Sequence, residues 1–105
     1  VSVQELKALL DSGNDIVLLD TRRESDAAKY WISSPQRLHM SMHDLVVQYA
    51  ELPKDKKLFI LDKGGKRCGL ISRFLASKGL NDLTLVTGGM KQWVKSGLPT
   101  EIAKK

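Results

Sequence analysis

Three short runs of mostly consecutive apolar residues, Ile16 to Leu19, Leu58 to Leu61 and Leu83 to Val86, constrain the fold of this 105-residue chain more than any other feature. None shows the sustained alternation of a strand with one wet face, and each is too short for a core helix. They read as strands covered on both faces. Helical patterns lie between them. Ser2 followed by Glu5 is a capping box ahead of Val3, Leu6, Leu9 and Leu10 on one face, ending near Ser12-Gly13. Ser25 to Trp31 reads as a short helical turn and Leu38 to Met40 as a short strand. Ser41 reads as the cap of a helix with Leu45, Val46 and Tyr49 inward, closed by Pro53. Arg67 to Lys78 reads as a helix with Leu70, Ile71, Phe74 and Leu75 inward, stopped by Gly79. A last helix carries Met90, Trp93 and Val94 and is stopped by Gly97 and Pro99. This alternation predicts the α/β class: one parallel sheet with helices on both faces.

Length and composition fit that picture. A chain of 105 residues, 42% hydrophobic and 28% charged, holds one domain and one ordinary core. The net charge of +5 comes from lysines scattered over every segment, which reads as a solvated surface. With few aromatic residues and no reading helix, nucleic acid is not an expected partner. The lone cysteine, Cys68, excludes an internal disulfide, and His39 and His43 have no zinc-ligand spacing with it, so neither a metal nor another cofactor is expected. No apolar run is long enough to span a bilayer, and no signal-peptide pattern opens the chain. Beginning at Val1, the chain reads as one that has lost a leader or as a piece of a longer protein. The compartment stays open, with a slight preference for the cytoplasm over an exported mature domain.

In an open parallel sheet, ligands sit at the carboxyl ends of the strands, so Asp20, Asp62 and Thr87 are expected to border one crevice. The run Asp62-Lys63-Gly64-Gly65-Lys66-Arg67-Cys68-Gly69 leads from a strand into a helix. Its glycines allow the backbone to curl with N–H groups inward, the helix start adds its dipole, and Lys63, Lys66 and Arg67 add positive charge. Together these suit a small anion. The same residues also suit a tight turn whose lysines face water. The spacing is not that of a Walker loop.

The order of elements and three motifs resemble the rhodanese family over almost the whole chain, residues 1–105 forming one rhodanese-like domain. Leu18-Leu19-Asp20-Thr21-Arg22 is similar to the family's first strand. Gly88-Gly89-Met90-Lys91-Gln92-Trp93 with Gly97-Leu98-Pro99 is similar to its closing motif. Asp62 to Cys68 falls on its active-site loop, usually Cys-x-x-Gly-x-Arg-Ser. The family moves sulfane sulfur from donors such as thiosulfate to thiophilic acceptors, through a persulfide on the loop's first residue. The resemblance puts Asp62 at that position, and a carboxylate offers no sulfur. It implies a domain without the usual sulfurtransferase activity, serving as a binding, regulatory or structural module beside a protein partner or second domain.

Asp62 is expected to accept hydrogen bonds from the loop N–H groups and so to occupy its own anion site. Cys68, at the family's serine position, is the remaining candidate for sulfur chemistry: the helix start and Arg67 are expected to lower its thiol pKa. Its other reading is a small residue packed under the loop. Asp20 and Arg22 match family positions and read as a supporting pair. Trp31, at a position where the family tends to have histidine, either packs in the core or partly closes the crevice. A phosphatase-like relative shares the fold and loop design but also needs a cysteine at position 62.

Overall fold

The computed structural model describes residues 1–103. The chain runs through α1 (Val3–Asp11), β1 (Ile16–Asp20), α2 (Glu24–Ala27), β2 (Tyr30–Trp31), β3 (Arg37–His39) and α3 (Met42–Gln48), which continues into a 3-10 turn at Tyr49–Glu51. It then forms β4 (Lys57–Leu61), α4 (Cys68–Ser77), β5 (Leu83–Leu85), α5 (Gly89–Lys95) and β6 (Glu101–Ile102). The capping box at Ser2 and Glu5 closes as expected, each side chain taking the other's backbone N–H at 3.0 Å.

The main sheet is parallel throughout, in the order β3-β1-β4-β5. The chain leaves β1 for β3 on one side and then crosses to β4 on the other, so the connections diverge between β1 and β4. That divergence opens a crevice at the carboxyl edge of the sheet. The apolar runs of β1 and β4 are continuous because alternate side chains enter two different cores. The third run is corrected: β5 lies at the edge of the sheet with one side unpaired, Leu83 and Thr84 are only partly buried, and Leu85 is exposed. Ile16, Leu18, Phe59 and Leu61 pack with Val3, Leu6, Met90 and Trp93 on one face. Leu19, Leu58 and Ile60 pack with Leu45, Ile71 and Leu75 on the other. The expected α/β class holds, with helices on both faces.

Three expected core residues are corrected. Val46, Leu70 and Val94 are 59%, 52% and 48% exposed. Each adjoins a buried residue, Leu45, Ile71 or Trp93, and neighbours on a helix diverge by about 100°. Helices this short lay a single narrow stripe on the sheet. The expected helical turn over Ser25 to Trp31 is shorter, ending at Ala27. Tyr30 and Trp31 instead pair antiparallel with Ile102 and Glu101 in a separate two-stranded ribbon. The expected strand over Leu38 to Met40 lies one residue earlier, as β3.

Candidate functional site

The crevice is a cleft of about 710 Å³. Thr21, Arg22 and Arg23 line it from the end of β1, Ser41, Met42 and His43 from the start of α3, and Asp62, Lys63, Gly64, Lys66 and Arg67 from the loop after β4. Two residues expected at its border lie elsewhere. Asp20 is fully buried beneath Arg22, and Thr87 turns away, its N–H donating to the Val1 carbonyl at 2.8 Å.

The loop closes around Asp62, whose side chain is buried while Lys63 to Arg67 are exposed. The Gly65 N–H donates to Asp62 Oδ1 at 2.5 Å. The N–H groups of Arg67 and Cys68 donate to Oδ2 at 2.7 and 3.2 Å. A carboxylate thus sits where inward N–H groups and the start of α4 focus positive potential. It satisfies donors that the first turn of a helix leaves without intrahelical partners.

The turn between β5 and α5 packs directly against this loop. The Met90 and Lys91 N–H groups donate to the carbonyls of Asp62 and Lys63, both at 2.8 Å. A Cβ on Gly89 would stand 2.6 Å from both the Asp62 carbonyl and Oδ1, and one on Gly65 would stand 2.8 Å from the Gly88 nitrogen. Gly89 and Gly65 also have φ of 62° and 83°. These glycines are fixed by backbone meeting backbone. The sequence placed the Gly88-Gly89 pair in a motif but gave no sign that it touches the loop.

Under the cleft lies a buried ion cluster. Arg22 grips Asp20 with Nε to Oδ1 at 3.0 Å and Nη2 to Oδ2 at 2.8 Å, while its Nη2 also donates to the Tyr30 carbonyl at 2.9 Å. Arg37 Nη2 reaches Asp20 Oδ2 at 3.0 Å. Burial pushes the Asp20 carboxyl upward, but hydrogen bonds and charge from Arg22, with Arg37, outweigh it and hold the group below its ordinary value. Asp20 and Arg22 therefore brace the turn that forms one wall. Arg37 was missed by sequence reasoning, since only the β1–β3 pairing, Leu18 beside Arg37 and Asp20 beside His39, brings it there. His39 Nε2 contacts the Arg22 carbonyl at 2.9 Å.

Cys68 is 2% exposed, and its Sγ donates to the Ile60 carbonyl at 3.4 Å. Burial pushes the thiol up to about 12, and the Asp62 charge adds to the rise. The expected lowering by the helix start and Arg67 is corrected: the thiol is buried in the core, and the charge that acts on it, that of Asp62, is negative. Trp31, in β2 beside Glu101, does not line the cleft. Arg23 and Lys91 do, although neither was singled out from the sequence. Among the described residues no group of three or more His, Cys, Asp or Glu is placed to hold a metal ion, and no helix is long and apolar enough to cross a membrane.

A parallel α/β domain with a self-closed loop at the switch between β1 and β4 defines the class. A model of the rhodanese-like domain family matches residues 2–96, and the chain belongs to that family. Among curated proteins, a sulfurtransferase of Allochromatium vinosum is 27% identical over 99 residues, covering 94% of this chain and 91% of that protein. The putative sulfurtransferase YtwF of Bacillus subtilis is 28% identical, covering 89% of this chain and 87% of its own length. Among solved structures, the rhodanese-like domain protein from Staphylococcus aureus superposes with a TM-score of 0.82 at 25% identity, covering 100% of this chain and 97% of that one.

Proposed function

We propose that this rhodanese-like domain does not run persulfide chemistry from the first position of its loop and serves instead as a binding, regulatory or structural module beside a protein partner or second domain. Asp62 stands there in place of a sulfur carrier. The observation that carries the reading is the Asp62 carboxylate held by three loop N–H groups. A fixed negative charge on those donors opposes a second anion such as thiosulfate at the same point. Transfer of sulfane sulfur through Cys68 is the competing reading. The buried thiol, pushed up to about 12, counts against it, because the thiolate is the nucleophile.

Incubation with thiosulfate followed by intact-mass measurement separates the two. The expected result is unmodified protein and no thiosulfate:cyanide turnover above background. Turnover at an ordinary enzyme rate, roughly 1 per second or faster, overturns the proposal. One added sulfur, lost in Cys68→Ser, would establish the Cys68 route.

A further inference from the structure

Five cationic side chains surround the mouth of the cleft: Arg23 from the turn after β1, Lys63, Lys66 and Arg67 from the loop, and Lys91 from α5. All five are exposed, and none belongs to an ion pair among the described residues. Three carboxylates also line the cleft, those of Glu24, Asp26 and Asp62, and the last is already bound to backbone N–H groups. Glu24 and Asp26 offset part of the charge of the five cations, so the rim keeps a positive excess with no direct ion pair among the described residues, while the interior of the loop is filled.

We infer that the rim binds a small ligand carrying several linked phosphate-type groups, outside the loop and above Asp62. This rests on the reading that Asp62 occupies the loop interior. A single tetrahedral anion would find the inward N–H donors taken and could meet only part of the rim. Cations supplied from three segments of the chain match negative charge spread along a ligand. The volume of about 710 Å³ falls in the range of small-molecule sites and far exceeds one tetrahedral anion. Met42 and Ile71 give the cleft some apolar lining against which a less polar part of the ligand can rest.

The test is equilibrium titration of the protein in magnesium-free buffer with inorganic tripolyphosphate, orthophosphate and a poly-glutamate peptide. Each exposed ion pair is worth a factor of roughly 1.5 to 5, so tripolyphosphate is expected to bind about tenfold tighter than orthophosphate. The double variant Lys66→Ala/Lys91→Ala should weaken tripolyphosphate about fivefold. Lys54→Ala/Lys57→Ala removes the same charge at the opposite end of β4, roughly 13 Å away along the strand, beyond the screening length of about 8 Å at physiological salt. That control should weaken binding less than twofold. Adenosine triphosphate distinguishes the source of the phosphates: affinity above that of tripolyphosphate supports a nucleotide, and equal affinity supports the phosphate chain alone. Equal losses in the two double variants, no preference over orthophosphate, or equal binding of poly-glutamate overturns the inference. Thiosulfate turnover would overturn the proposed function without deciding this titration.

Discussion

Replacing Asp62 by alanine removes the carboxylate that holds the Gly65, Arg67 and Cys68 N–H groups. Hydrogen bonds to a charged group contribute about 1.5 to 3 kcal/mol each, so simple addition would give roughly 5 to 9 kcal/mol. That sum is too large. Gly65 and Arg67 are exposed, and water can replace the carboxylate at their N–H groups, whereas the Cys68 N–H lies in a buried residue and is left without its partner. Leaving such a donor unsatisfied costs about 1 to 3 kcal/mol, and partial losses at the other two bring the expected destabilisation to about 2 to 4 kcal/mol. For a domain of this size the melting temperature should fall by roughly 10 to 25 °C.

The same variant has a second readout. With the carboxylate gone, the emptied loop presents three N–H groups and a helix start to an external anion. Sulfate at a concentration about 100 times its dissociation constant would restore about 2.7 kcal/mol. Urea unfolding in sulfate and in chloride at matched ionic strength checks this. Asp62→Ala should regain stability selectively in sulfate, and the unmodified protein should gain much less. A loss below about 0.5 kcal/mol, or a variant equally stable in both salts, would refute the view that the side chain occupies an anion site.

Other substitutions probe the surroundings. Asp62→Cys offers a thiolate to the same donors and should take up one sulfur from thiosulfate by intact mass; a folded variant that takes none would show that the cleft no longer admits the donor. Cys68 should be alkylated by iodoacetamide at pH 8 about a thousandfold more slowly in the native protein than in the unfolded chain, because a thiol pushed up to about 12 is almost entirely protonated there; equal rates would contradict the buried geometry. Asp20 titrates lower in the folded than in the unfolded state, so its contribution is fully present above its ordinary value of 3.8 and is lost as pH falls through the lower folded value. Acid unfolding followed by circular dichroism should therefore show a weaker pH dependence in that window for Asp20→Asn. Gly89→Ala, whose Cβ would stand 2.6 Å from two Asp62 oxygens at a positive φ, should cost about 2 kcal/mol or more by urea unfolding.

The fold was legible because both-face burial leaves a signature that needs no partner to be seen. Ile16 to Leu19 and Leu58 to Leu61 could only be strands under two layers of helices, and the residues now in two cores were recognisable as apolar runs. The loop was legible for a related reason: its donors, glycines and basic residues are consecutive. What escaped depends on distant segments. Arg37 meets Asp20 only through the register of β1 and β3, and the ribbon of Tyr30 and Trp31 with Glu101 and Ile102 is too short to show a period. Cys68 is buried, in keeping with its reading as a small packed residue; only the expected lowering of its thiol pKa failed, because sequence shows the helix start and Arg67 beside it, while the Asp62 charge and the side-chain direction arise only on folding.

Residue 62 joins more of this domain than its place in one loop suggests. Its carbonyl accepts the Met90 N–H at the start of α5, while its carboxylate closes the loop and the start of α4. A loop of free inward N–H groups would be completed by water or by its ligand, so its order would depend on occupancy. Here a side chain fixed to β4 completes it, and the order of the loop is coupled to the stability of the fold. The basic side chains at the rim are not drawn into that closure. Lys63, Lys66 and Arg67 remain exposed around a neutralised interior, so any selectivity of this cleft for anions must come from how those side chains, with Arg23 and Lys91, are spaced.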